Sequence, residues 1–111
     1  MRVSQHIHFY NRFDGPVYKG KVIENGYHNP KGPIHSCTGN GGPPSPSRCS
    51  CQDNHECTLC VNKPYSYTRL TAFNATDLLW EQVDNSDSSV IDSWTMHQDT
   101  HGKFPIPPPG F

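Results

Sequence analysis

The sequence predicts a loop-rich, mainly β chain with a small core, and three observations carry that expectation. Ala occurs only twice while Gly and Pro number 9 and 11, so good helix formers are scarce and helix breakers frequent. Leu, Ile, Val and Phe supply 20 of the 111 residues, yet the net charge is only −1, so the high charge that accompanies low hydrophobicity in disordered chains is missing. The one long stretch free of Pro and Gly, residues 65–101, mixes aromatic and β-branched residues with polar ones in the manner of half-buried strands. The length allows one domain at most. The chain holds no apolar run near the ~20 residues of a membrane span and no basic stripe, which argues against a membrane protein and a nucleic-acid binder.

The elements follow in order. Pro16–Ile23 alternates loosely and reads as strand, with Asn25-Gly26 as a hairpin-turn dipeptide. Ile34-His35-Ser36-Cys37 reads as a short buried strand, followed by a flexible turn over Thr38-Gly39-Asn40-Gly41-Gly42. Residues 43–64 are Pro/Ser-rich and then Cys-rich, with neither helical nor strand period, and are expected to be a loop. Beyond them a three-stranded antiparallel meander is expected. Tyr65, Tyr67, Thr71 and Phe73 alternate with Ser66 and Thr68; Leu78–Val83 follows the 74–77 turn; Val90, Trp94 and Met96 share a face after the polar turn 84–89. A short amphipathic helix over 78–83 is the alternative, disfavoured by the β-branched and aromatic flanks. The tail 105–111 is Pro-rich and expected to be extended.

Two features suit an oxidising, exported setting: five Cys in 111 residues, and the glycosylation sequon Asn74-Ala75-Thr76. Residues 1–9 carry no signal-peptide pattern, so export chemistry without a leader suggests that the front of the protein lies upstream. A cytosolic chain with free thiols and a chance sequon is the other reading. Cys49, Cys51, Cys57 and Cys60 fall within twelve residues, with His55 between them. Two disulfides suit them best; a zinc site and free thiols remain open, and the spacing does not choose among the three pairings. Cys37 reads as a small buried apolar residue.

His6-Ile7-His8 is the main candidate for chemistry. In an extended segment, residues i and i+2 point the same way, so two imidazoles converge on one metal or on two neighbouring ones. Two donors are fewer than any complete zinc site requires.

The run Gln5-His6-Ile7-His8-Phe9-Tyr10-Asn11-Arg12 resembles the G-H-x-H-x-Y-E-R block of purple acid phosphatases, the binuclear metallophosphoesterases. The likeness continues in order. Tyr27–His35 is similar to the family's N-P-K-A-P-V-H strand, and Thr38–Gly42 to its glycine turn. Tyr65–Leu70 and Leu79–Val83 are similar to its late strands, and Val90–Ser93 with His101-Gly102-Lys103-Phe104 to its close. The resemblance implies a C-terminal fragment of the metallophosphoesterase ββ-sandwich (α+β in the full enzyme). Residues 1–104 would belong to the catalytic domain, with a Pro/Cys-rich insert at 43–64, and 105–111 would form a flexible tail.

The resemblance also implies chemistry. His6 would face a divalent metal (Zn, Fe or Mn) and His8 an Fe(III) ion, in a centre that hydrolyses phosphate monoesters. The family's other ligand blocks and its acid lie upstream of this motif. The chain would therefore contribute no catalytic acid, bind no metal stably alone, be inert in isolation, and partner the N-terminal part of the same enzyme. Secretion is implied as well. Gln5 stands where the family has Gly and Asn11 where it has Glu, departures that bear on the geometry of the pair.

The remaining candidates read as scaffold. Trp80 and Trp94 are expected to pack together on neighbouring strands. Tyr10 and Arg12 read as scaffold, with Arg12 expected to pair with a carboxylate rather than a phosphate. His35 reads as a hydrogen-bonded core residue, His28, His97 and His101 as surface, and Asp84 and Asp87 as a solvated turn lacking calcium-loop spacing. Two other functions fit the residues: a cysteine-stapled extracellular binding module without catalysis, and a metal-binding accessory protein using His6, His8 and the cysteines.

Overall fold

The computed structural model describes residues 2–4, 9–19, 21–43, 51, 57–62 and 65–103. Nine strands and no helix are found among them: β1 (Arg2–Ser4), β2 (Tyr10–Phe13), β3 (Val17–Tyr18), β4 (Lys21–Val22), β5 (His35–Thr38), β6 (Cys57–Val61), β7 (Ser66–Ala72), β8 (Asp77–Asp84) and β9 (Val90–His97). The first sheet has the order β1-β5-β2-β6, with β1 parallel to β5 and the other pairs antiparallel. β7, β8 and β9 form the expected antiparallel meander in sequence order. β3 and β4 make a small separate hairpin.

The two larger sheets meet through side chains. Tyr10, Ile34, Trp80 and Trp94 form the buried core, with Tyr27, Leu59, Val61 and Met96 packed on it. Trp80 and Trp94 are cross-strand partners whose rings stack at 5.2 Å, and Tyr10 from β2 approaches Trp80 at 6.2 Å. Aromatic rings suit this place because so few aliphatic residues are available: each ring buries ~150–250 Å².

Several expectations are corrected. The 43–64 segment is not loop throughout, since β6 pairs along β2 with Asn11 opposite Cys60 and Arg12 opposite Leu59. Its Cys and Thr residues carry no alternation, yet β2 offers an open edge. The 16–23 run breaks into two strands at Lys19, which adopts φ 49°, so the hairpin turns there rather than at Asn25-Gly26. Gly26, at φ 93°, instead donates its N–H to the Asp14 carbonyl at 2.7 Å. Gly15 lies in the same crossing, where a side chain would collide with the Glu24 carbonyl.

The alternation expected on β7 is present, and its aromatic row faces outward. Tyr65, Tyr67 and Phe73 are exposed, while Ser66 is buried and Thr68 half-buried. The inward row is polar because Gln82, fully buried on β8, binds it: Thr68 donates to Gln82 Oε1 at 2.6 Å, and Gln82 Nε2 donates to Ser66 Oγ at 3.1 Å and Asn40 Oδ1 at 2.9 Å. Val90 is exposed at the start of β9, next to the register shift at Gln82/Val83. Asp84 is buried rather than solvated; its Oδ1 accepts from the Ser86 N–H and hydroxyl at 2.9 Å each, closing the turn between β8 and β9.

Candidate functional site

β1 ends at Ser4, opposite Cys37, and the chain is next described at Phe9. His6 and His8 fall between these points, outside the described residues. What the structure shows is the ground on which that span stands. Phe9 is buried, and its carbonyl accepts the Gly39 N–H at 2.9 Å, so the glycine turn is tied to the residue after His8. The turn is tied to the meander in its own right: Asn40 is fully buried against Gln82, and its carbonyl accepts the Ser66 N–H at 2.9 Å.

Tyr10 and Arg12 leave β2 on the same face, as i and i+2 must. Both reach Asp92 on β9. Tyr10 Oη donates to Asp92 Oδ2 at 2.7 Å and Arg12 Nε donates to the same oxygen at 2.7 Å. Arg12 also donates to Tyr27 Oη at 3.3 Å, and Tyr27 Oη donates in turn to the Phe13 carbonyl. Trp94 Nε1 donates to Tyr10 Oη at 3.3 Å, and Tyr27 packs on Trp94 at 4.5 Å. Burial, reinforced by the Asp92 carboxylate, pushes the Tyr10 phenol well above its ordinary range; burial does the same to Tyr27, less strongly. Burial disfavours the Arg12 cation, but the hydrogen bonds it donates to Asp92 and Tyr27 more than offset this and push it up. All three groups therefore keep their protons, and the cluster is a fixed brace rather than a proton relay. Arg12 meets a carboxylate, as expected from the sequence.

A second cluster lies at the far end of the meander. His97, at the end of β9, directs Nδ1 at Asp77 Oδ1 (2.7 Å) and Nε2 at Asp99 Oδ1 (2.6 Å). The surface reading of His97 is thus corrected: its side chain is 29% exposed and held on both sides. His28 and His101 are exposed, His101 with Nε2 2.5 Å from the Ala75 carbonyl. The signal for the His97 site was the pairing register, which sets Asp77 opposite His97.

Of the other candidates, Asn74 is exposed in the β7–β8 turn, where its Oδ1 accepts from the Thr76 N–H and hydroxyl at 2.8 Å each. Cys51 and Cys60 are half-buried, Cys37 is a half-buried thiol, and Cys49 lies outside the described residues. Cys57 opens β6, opposite Phe13. No group of three His, Cys, Asp or Glu side chains arranged to hold a metal occurs among the described residues.

Residues 32–93 match the family described as iron/zinc purple acid phosphatase-like protein C. The chain belongs to that family. This purple acid phosphatase-like chain is 37% identical over 112 aligned positions to acid phosphatase type 7 of Danio rerio, covering 87% of itself and 23% of that protein. It is 30% identical to the acid phosphatase of Aspergillus ficuum, covering 89% of itself and 18% of that protein. Among solved structures, the purple acid phosphatase PPD1 from yellow lupin (Lupinus luteus) seeds superposes with a TM-score of 0.67 at 28% identity, over 87% of this chain and 18% of that one. The chain thus spans about a quarter or less of these relatives. The strand architecture expected from the resemblance, mainly β with a closing meander, is the one observed. The family's description names iron and zinc; the two imidazoles His6 and His8 would be fewer donors than one complete zinc site needs, so they do not by themselves fit such a centre.

Proposed function

We propose that this chain contributes His6 and His8 to a dinuclear iron and divalent-metal centre, whose other ligands come from the preceding part of a purple acid phosphatase acting on phosphate monoesters. The family match over residues 32–93 carries the reading. The brace from Tyr10 and Arg12 to Asp92 supports it, because it anchors the strand that begins two residues after the pair. When assembled, the metal pair supplies Lewis acidity for the hydrolysis. This chain's own share is orientation: Phe9 is held by Gly39, Tyr10 and Arg12 by Asp92, and the glycine turn by Asn40 and Gln82.

The same reading places residues 1–104 in the catalytic domain and sends the protein to an extracytoplasmic, oxidising space. There Asn74 would carry a glycan and the 49–60 cysteines would be stapled. The exposure of Asn74 supports this.

The test is complementation. The 111-residue chain and the preceding three quarters of the Danio rerio protein are expressed separately and mixed with iron and zinc. Hydrolysis of p-nitrophenyl phosphate is expected from the mixture and from neither part alone. His6→Ala and His8→Ala should each abolish it. Turnover by the chain alone, or full activity from the His variants, would overturn the proposal.

A further inference from the structure

The cluster at the end of β9 has a property independent of the phosphatase reading. A neutral imidazole carries one N–H and one lone pair. Both ring nitrogens of His97 sit at hydrogen-bonding distance from carboxylate oxygens, 2.7 Å from Asp77 and 2.6 Å from Asp99. Only the imidazolium satisfies both contacts at once. The cluster also holds a crossing segment. Asn29 Nδ2 donates to Asp99 Oδ2 at 2.9 Å, and the Asp99 N–H donates to Asn29 Oδ1 at 2.8 Å. The backbone is stitched beside it, with Asn29 N to His97 O at 2.7 Å and His97 N to Tyr27 O at 2.9 Å. His28 lays its ring parallel to His97 at 4.7 Å and 10°.

We propose that Asp77, His97 and Asp99 form an acid-set clasp that fastens residues 27–29 to the end of β9 and lets them go as the pH rises. The charged and titratable groups around His97 are Asp77 from β8, Asp99 beyond β9 and His28 from the clasped segment. Lys31 and Lys103 line the same cleft as Asp99. Asp77, then Asp99, raises His97 above the ordinary histidine range, and His97 in turn lowers both carboxylates. Loss of one proton from His97 leaves a lone pair facing a carboxylate, so one of the two contacts has to open. If the Asp99 contact opens, its carboxylate no longer fixes Asn29 Nδ2, and Asn29 is left on the weaker hold of the Asp99 N–H and the His97 carbonyl. Tyr27, two residues before Asn29, touches Arg12 and Trp94, so release of the clasp is felt at the brace.

The test uses the 111-residue chain. Nitrogen-15 spectra of the His97 ring give its titration midpoint, and hydrogen exchange, corrected for intrinsic rate, gives the protection of the Asn29 and His97 amides. The midpoint is expected above the ~6.5 of an unperturbed histidine, with protection falling at least tenfold through it. His97→Gln should remove the step and His28→Ala should keep it. A midpoint at or below ~6.5, unchanged protection in the parent chain, a step that survives His97→Gln, or one that disappears with His28→Ala would each overturn the proposal.

Discussion

Arg12 and Asp92 meet at 2.7 Å across 80 residues of sequence, joining β2 of the first sheet to β9 of the meander. The Asp92 side chain is only 9% exposed, and Tyr10 donates to the oxygen that Arg12 uses. One carboxylate thus satisfies a buried phenol and a half-buried guanidinium. This gives the first prediction. Asp92→Ala leaves the Arg12 charge and the Tyr10 hydroxyl without their acceptor, and should cost about 3 kcal/mol. Asp92→Asn keeps an acceptor without the charge and should cost less. Urea unfolding with an unchanged slope reads both; a loss below ~1 kcal/mol for Ala would show that the brace is replaceable.

A second prediction concerns Gln82. Its amide donates to Asn40 and Ser66 and accepts from Thr68 in a fully buried position. Gln82→Leu fits the space but leaves those groups unmatched, and should destabilise by about 2 kcal/mol. Gln82→Glu is the sharper probe. Its carboxylate would face the Asn40 carbonyl oxygen, and burial would raise its folded pKa above the ~4.3 of a free glutamate. The deficit should therefore be largest near neutral pH and shrink as the pH falls toward ~4. A pH-independent deficit would mean that the side chain escapes to water.

A third prediction concerns solubility. β7 is an edge strand, and Tyr67, Leu70 and Phe73 on or beside it are 45%, 46% and 60% exposed. An open strand edge with apolar side chains is a template for association. Phe73→Ser should change stability by no more than ~0.5 kcal/mol and raise the concentration at which light scattering first appears. An unchanged threshold would show that the edge is not what associates.

The sequence was most legible where one physical preference acted alone. The meander was set by polar turns between aromatic runs, and Trp80 with Trp94 by their place on neighbouring strands. Arg12 was readable because a guanidinium serving as scaffold is best matched by a carboxylate. The rest was hidden where distant residues decide. Alternation gave β7 two rows but not their facing, and Gln82, from a strand ten or more residues away, makes Ser66 and Thr68 the inward row. β6 was hidden because its five residues gain their place from the open edge of β2, not from their own pattern. His97 looked exposed because its two carboxylates are brought to it by register and by a crossing loop. His6 and His8 rest on the motif resemblance, and the described structure supplies their neighbours, Phe9 and Tyr10, with buried anchors.

The last prediction takes the Asp77–His97–Asp99 contacts as a stability term with two pH edges. His97 is raised in the folded chain, so its contribution is complete below the unfolded value of ~6.5 and is lost as the pH rises through the folded value. Asp77 and Asp99 are lowered, so their contribution is complete above the unfolded value of ~3.9 and is lost as the pH falls through their folded values. The plateau therefore lies between about pH 4 and 6.5, an acidic window. The difference in thermal midpoint between the parent chain and His97→Gln isolates this term from the other titrations. It should be greatest on that plateau and diminish on both sides. Asp99 is exposed and His97 and Asp77 are half-buried, so salt should reduce the difference. A difference that grows steadily toward pH 8 would reverse the sign and show that neutral His97 is the stabilising form.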